Sequence, residues 1–190
     1  MALRAPPIDF DAIRAAIWQG VQDATGLGPN SVVVSQPEAP IAKRPETPFC
    51  EFMVTTVAQS FGEDYEVADA EDGVFRYVGP RMMTVQFQTY GETHEQAYGL
   101  ACCLHAALQA DPICDLLKSV GVVVWRRDAV IDLSALLSTG YEGRAGFNAS
   151  FGLHSSLSLT VGTIASVPVS AAITSDALLD RADFTVDLEG

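Results

Sequence analysis

The sequence is short of positive charge. Its 190 residues hold 11 Lys and Arg against 24 Asp and Glu, a formal net charge of −13 at neutral pH. Such a surface repels phosphate on average, which excludes a chain that wraps nucleic acid over its whole surface. The bases are scattered, with adjacent pairs only at Lys43-Arg44 and Arg126-Arg127. Long hydrophobic runs are missing too. No stretch reaches about 18 apolar residues without a polar break, so no transmembrane helix is expected. The opening MALRAPPIDF lacks the apolar run of roughly 7–15 residues that a secretory signal carries. Cysteine is sparse: Cys50, Cys102, Cys103 and Cys114 form no CxxC pair and no framework, and they read as reduced thiols. Together these predict a protein made and assembled in a cytoplasm.

Catalytic signatures are also lacking. The sequence has no G-x-S-x-G elbow, no P-loop and no H-E-x-x-H, the patterns that place a nucleophile, a phosphate cradle or a zinc pair. Gly26-Leu27-Gly28 lacks the third glycine of a dinucleotide fingerprint and follows a helix instead of a strand. Asp132 and Glu142 are too generic to read as a carboxylate pair. The best metal candidate is Cys102 or Cys103 with His105, joined by Cys114 or His94, because residues at i and i+3 share a helix face. Three scattered His with no repeated spacing weigh against it. No catalytic residue, cofactor or metal ligand is therefore assigned. The sequon Asn148-Ala149-Ser150 falls inside a strand and reads as chance. Phe87, Trp125, Phe147 and Phe151 sit at strand spacing. Core packing explains them better than stacking on bases, since the basic residues needed beside them are missing.

What is present is a globular pattern. The apolar share is 48% and the charged share 18%, against disorder. The length suits one domain by the rough prior of about 150 residues each. Phe10, Ile13, Ile17, Val21 and Ala24 form one helical stripe over 9–25. Asp9 caps it, and Gly26, Gly28 and Pro29 end it. A short strand at 31–34 precedes a surface link carrying Pro37, Pro40, Pro45 and Pro48, whose missing donors discourage pairing. Phe49 to Ala58 reads as a strand. Residues 60–72 hold six acids and no base, which predicts an exposed loop or hairpin tip. Val74 to Tyr90 is again a strand, alternating clearly from Met83 on.

Thr93 and Gln96 form a capping box for a second helix, whose buried stripe is Ala97, Leu100, Ala101, Leu104 and Leu108. Asp111-Pro112 breaks it, and a short helical turn with Ile113, Leu116 and Leu117 follows. Val122 to Trp125 reads as a strand buried on both faces or nearly so. In the last long alternation, Tyr141, Ala145, Phe147, Ala149, Phe151 and Leu153 share one face, and Glu142, Arg144, Asn148, Ser150 and His154 the other. Leu157, Leu159 and Val161 continue the alternation. The order of elements gives an α+β fold, with a mainly antiparallel sheet and an N-terminal helix and a second long helix packed on one face. Residues 1–166 read as one domain and 167–190, with five acids and only Arg181, as an extended C-terminal arm.

Five stretches in this order carry a family likeness: IDFDAIRAAIWQGVQDATGL, then FCEFMVTTVAQSFG after the Pro-rich link, RMMTVQFQTYGETHEQA, AYGLACCLHAAL, and YEGRAGFNASFGL. The strand Thr84–Tyr90, then Gly91, then a helix capped by Thr93, is the most telling part. The pattern resembles the tail (neck) terminator proteins of tailed phages over roughly residues 8–165. The acidic stretch 60–72 and the tail after Ser166 find no counterpart in that likeness.

The resemblance implies a non-enzymatic structural virion protein of the tail or neck, assembled in the host cytoplasm. It implies a homo-oligomeric ring, a hexamer, that caps the tail tube and stops its growth. Its partners are then the tail tube protein, the head-neck connector protein and, in a contractile tail, the sheath protein. DNA passes through the lumen without sequence-specific binding. The alternatives in the same setting are a head-completion or connector protein, or a tail-tube protein. From another class, the alternative is a small-molecule enzyme, which a deep polar pocket would favour.

Overall fold

The computed structural model describes residues 8–35, 44–63, 65–69, 74–137 and 140–160. The predicted arm at 167–190, residues 36–43 of the Pro-rich link, and residues 64 and 70–72 of the acidic stretch lie outside the described residues.

Helix α1 (Phe10–Thr25) begins where the Asp9 carboxylate accepts from the Ala12 N–H at 2.9 Å. It ends at Gly26, whose φ of +70° costs a residue without Cβ little, and whose N–H reaches the Gln22 carbonyl. A 3₁₀ turn (Pro29–Ser31) leads into β1 (Val32–Val34). Strand β2 (Phe49–Ser60) is followed by β3 (Tyr65–Asp69) and the long β4 (Val74–Gly91). Helices α2 (His94–Ala107) and α3 (Asp111–Ser119) come next, then β5 (Val122–Arg127), β6 (Ile131–Asp132), β7 (Ala135–Leu137) and β8 (Gly140–Thr160). The expected single turn after Asp111-Pro112 is thus a nine-residue helix, with Pro112 in its first turn, where a missing N–H costs nothing. The segment between β5 and β8 contributes two short strands that were not anticipated.

The sheet runs β1-β2-β4-β8-β5, with β3 on β4 and β6 and β7 on β8. β1 and β2 are parallel, and the other pairings are antiparallel. The spine is the β4–β8 ladder, in unbroken register from Val74↔Thr160 to Gly91↔Gly143. The predicted α+β class, with a mostly antiparallel sheet, is what the chain adopts. The acidic stretch, expected as an exposed loop or hairpin tip, supplies a strand of its own, Tyr65–Asp69, paired antiparallel to β4. β2 ends at Ser60, the strand is interrupted from Phe61, and β3 takes up the same side of β4 from Tyr65↔Val78 to Asp69↔Val74. Backbone pairing with β4 satisfies the main chain there, and this outweighs the mutual repulsion of the acids.

Alternation divides the sheet into two faces. Met83, Val85, Phe87 and Thr89 of β4 are fully buried, as are or nearly are Ala145, Phe147, Ala149, Phe151 and Leu153 of β8. These meet Ile13, Ile17 and Val21 of α1, Leu104 of α2 and Ile113 and Leu117 of α3 in one core. Phe87 is its centre, with ring centroids 5.2 Å from Phe147, 6.1 Å from Phe52 and 6.5 Å from Phe151. Burying such a ring contributes roughly 1.5–3 kcal/mol. Ala97 and Ala101, both fully buried, let α2 lie close on β4 and β8. Gly20 lets α1 touch Ile113 of α3, where an added Cβ would sit 3.4 Å from the Ile113 side chain.

Candidate assembly surface

The other face of the sheet carries no helix among the described residues. Met82, Thr84, Gln86 and Gln88 of β4 are half-buried there, and Asn148 and His154 of β8 are exposed. At one end, the Phe49 and Tyr90 rings stack at 4.3 Å, with the Arg44 guanidinium 5.1 Å and 4.7 Å from their centroids. Arg44 also pairs with Glu142, and Arg144 with the Gln88 side-chain carbonyl. The Tyr90 hydroxyl donates within a short network to Gln88 (2.9 Å) or Glu51 (3.1 Å). Burial first, then the Glu51 carboxylate, pushes the Tyr90 hydroxyl up to about 12. Most polar groups of this cluster are paired within it, but the buried Arg144 Nε has no hydrogen-bond partner among the described residues.

At the other end lies an aromatic patch. Phe61 and Trp125 meet edge to face at 4.3 Å, although they are 48% and 51% exposed. Val123 beside them is 50% exposed, against Gly152 of β8. This corrects the expectation that 122–125 is buried on both faces. β5 is an edge strand, and only Val122 is fully buried. The register slips between Val124 and Arg126, a bulge that leaves Trp125 and Arg126 on the same side as Val123. Among the described residues the outer backbone of β5 is an open edge, the kind of surface that pairs with another chain. β1, the opposite edge, is only three residues long, and its Val32 carbonyl accepts from Trp18 Nε1 at 3.2 Å.

The sequence-level metal candidates do not converge. Cys102 and Cys103 face outward, whereas Cys114 is half-buried with its thiol 3.5 Å from the Leu108 carbonyl. His105 Nε2 lies 3.1 Å from the Asp128 carbonyl, so that nitrogen carries the proton, and Arg127 donates to the His105 carbonyl. His94 Nδ1 sits 3.3 Å from Asp132. Hydrogen bonds from Ser134, then the charge of the nearby His94, hold the Asp132 carboxyl below its ordinary value. Among the described residues no group of three His, Cys, Asp or Glu is placed to hold a metal ion. Glu142, engaged with Arg44, is committed elsewhere. The sequon at Asn148 lies within β8, paired on both sides by β4 and β5.

The residues that sequence reasoning missed are those of the patch. Trp125 reads as core by composition, and Phe61 follows a strand without a pattern of its own. Their exposure depends on strand order. No helix among the described residues is long and apolar enough to cross a membrane.

No curated protein matches the chain. A family model described as phage neck terminator protein matches residues 11–176. The match spans the acidic stretch and runs past Ser166, both beyond the likeness read from the sequence. With most of its length covered, the chain belongs to the phage neck terminator family and is a structural component of the phage tail neck.

Proposed function

We propose that the chain closes into a hexameric ring that caps the tail tube, ends its growth and joins the tail to the head-neck connector, with a lumen for DNA. Family membership supports the place in the particle. The observation that carries the ring is a sheet with, among the described residues, one uncovered face and an open β5 edge, surfaces that a neighbouring subunit would satisfy. Its partners in this reading are further copies of itself, the tube protein, the connector protein and, in a contractile tail, the sheath protein. It acts by binding, without catalysis.

Six copies at −13 each make a ring whose wall repels passing DNA if the acids face the lumen. A neutral or basic lumen would overturn that part. Residues 1–166 act as the ring-forming domain, and 167–190 as an arm that contacts a neighbour or an adjacent ring. Deleting the arm then weakens assembly and leaves the fold of the subunit intact; unchanged assembly overturns its role.

The test of the whole reading is copy number and axial position in the assembled particle by electron microscopy. One six-fold ring at the head-proximal end of the tube supports it. Copies repeated along the tube identify a tube protein, and purified chain that grows long stacks under negative stain says the same.

A further inference from the structure

Helix α2 has an outer face that no described part of the chain covers. From Gln96 to Ala110 the sequence holds no Asp, Glu, Lys or Arg. Tyr98, Gly99, Cys102, Cys103 and Ala106 are nevertheless exposed. A helix face left in water is ordinarily charged, and a helix apolar all round is one buried all round. Gly99 sharpens the point. A glycine in mid-helix weakens the helix relative to alanine, and a Cβ at this position would meet nothing within 4 Å. Nothing described in the protomer uses the missing side chain. A surface that approaches from outside does, because it can reach the helix backbone.

The aromatic patch has the complementary character and lies on the opposite side of the protomer. α2 packs on the buried side of the sheet through Ala97, Ala101 and Leu104. Phe61, Val123 and Trp125 stand on the uncovered side. The patch ends in a cation, Arg126, whose side chain is 78% exposed and pairs at 3.3 Å with Asp128. Both groups of that pair are in water, so it is weak and exchangeable. The N-terminal end of α2 carries exposed carboxylates, Glu95 in its first turn and Glu92 just before its cap. The two surfaces thus match in apolar character and oppose in charge. Copies carrying −13 each repel over most of their surface, which directs self-contact to the places where each is uncharged.

We infer that α2 of one copy docks by its outer face on the Phe61–Trp125 patch of the next, a head-to-tail contact that builds the ring. The inference rests on the ring reading above. Two different surfaces on opposite sides of one chain make a heterologous interface, which closes when the rotation per copy divides a full turn. Aromatic anchors against small residues fit the way interface energy concentrates.

The full-length chain tests this with its own thiols. In the variant Val123→Cys, mild oxidation with diamide is expected to link Cys102 or Cys103 of one copy to position 123 of the next, giving a ladder of dimer, trimer and higher species. In the unsubstituted ring, Cys102 and Cys103 should resist alkylation that they undergo once the ring is dissociated by dilution. Gly99→Gln and Trp125→Ala should leave a folded chain, judged by its thermal melt, that no longer forms rings by native mass spectrometry. Rings that persist in both variants, with Cys102 and Cys103 open to alkylation and no ladder, overturn the contact while the ring reading stands. A chain that is monomeric at every concentration, and also off the tube, overturns the ring reading and the contact with it.

Discussion

The Thr89 hydroxyl of β4, wholly buried, donates to the Ala97 carbonyl of α2 at 2.7 Å, with the Ala145 carbonyl of β8 as its alternative acceptor at 3.3 Å. It ties the helix to the two central strands. Thr89→Val keeps the shape and removes the donor. The expected loss is about 1 kcal/mol, since Ala97 retains its helical bonding, and urea unfolding of the purified chain measures it. No loss at all would mean that the bond is not made in solution.

The strand-to-helix corner is set by close backbone approach. A Cβ on Gly143 would fall 2.2 Å from the Thr93 carbonyl oxygen, and one on Gly91 2.7 Å from the Ala97 nitrogen. Both obstacles are main chain and cannot rotate away. Gly143→Ala is therefore expected to destabilise by about 3 kcal/mol, at the upper end for overpacking. Thermal melting should show a large fall for Gly143→Ala and none for Gly99→Ala, where the helix has open space.

Stability should decline in alkali. Burial pushes the Cys50 thiol up to about 12 in the folded chain, from 9.0 when free. Between those values the unfolded chain has lost the proton that the folded chain keeps. The unfolding free energy therefore falls as pH rises, by about 1.4 kcal/mol per pH unit from this group. Below pH 9 its contribution is complete. Comparing Cys50→Val with the unsubstituted chain at pH 8 and pH 11 isolates it: the variant should lose less stability over that interval. An equal loss refutes the assignment.

Arg44 bridges the Phe49–Tyr90 stack and Glu142, tying the start of β2 to β8. It is exposed, so the expected cost of Arg44→Ala is only about 1 kcal/mol. Much of it should remain in Arg44→Lys, which cannot lie flat over two rings. High salt should narrow the difference between Arg44→Ala and the unsubstituted chain, read by denaturant midpoint.

The amino-acid sequence by itself determined the local elements. Asp9, Gly26 and the Thr93–Gln96 pair each mark a helix end, because capping is a matter of neighbours in the chain. One detail is shifted: Gln96 returns its side-chain carbonyl to the Glu92 N–H at 2.8 Å, one residue before the cap. The period-two alternation also assigned the buried faces of β4 and β8 correctly, since side-chain direction in a strand is a local property.

What the tertiary structure alone decided is which surfaces are covered. Val122–Trp125 is as apolar as a central strand, yet it is an edge, because strand order is set by long-range pairing. The run of acids from Glu63 reads as an exposed loop or hairpin tip, yet β4 offers it a strand partner for five residues, Tyr65–Asp69. The uncovered face with Phe61 and Trp125 follows from the same cause. Burial is a property of the partner, and a sequence records the side chain without recording what lies against it.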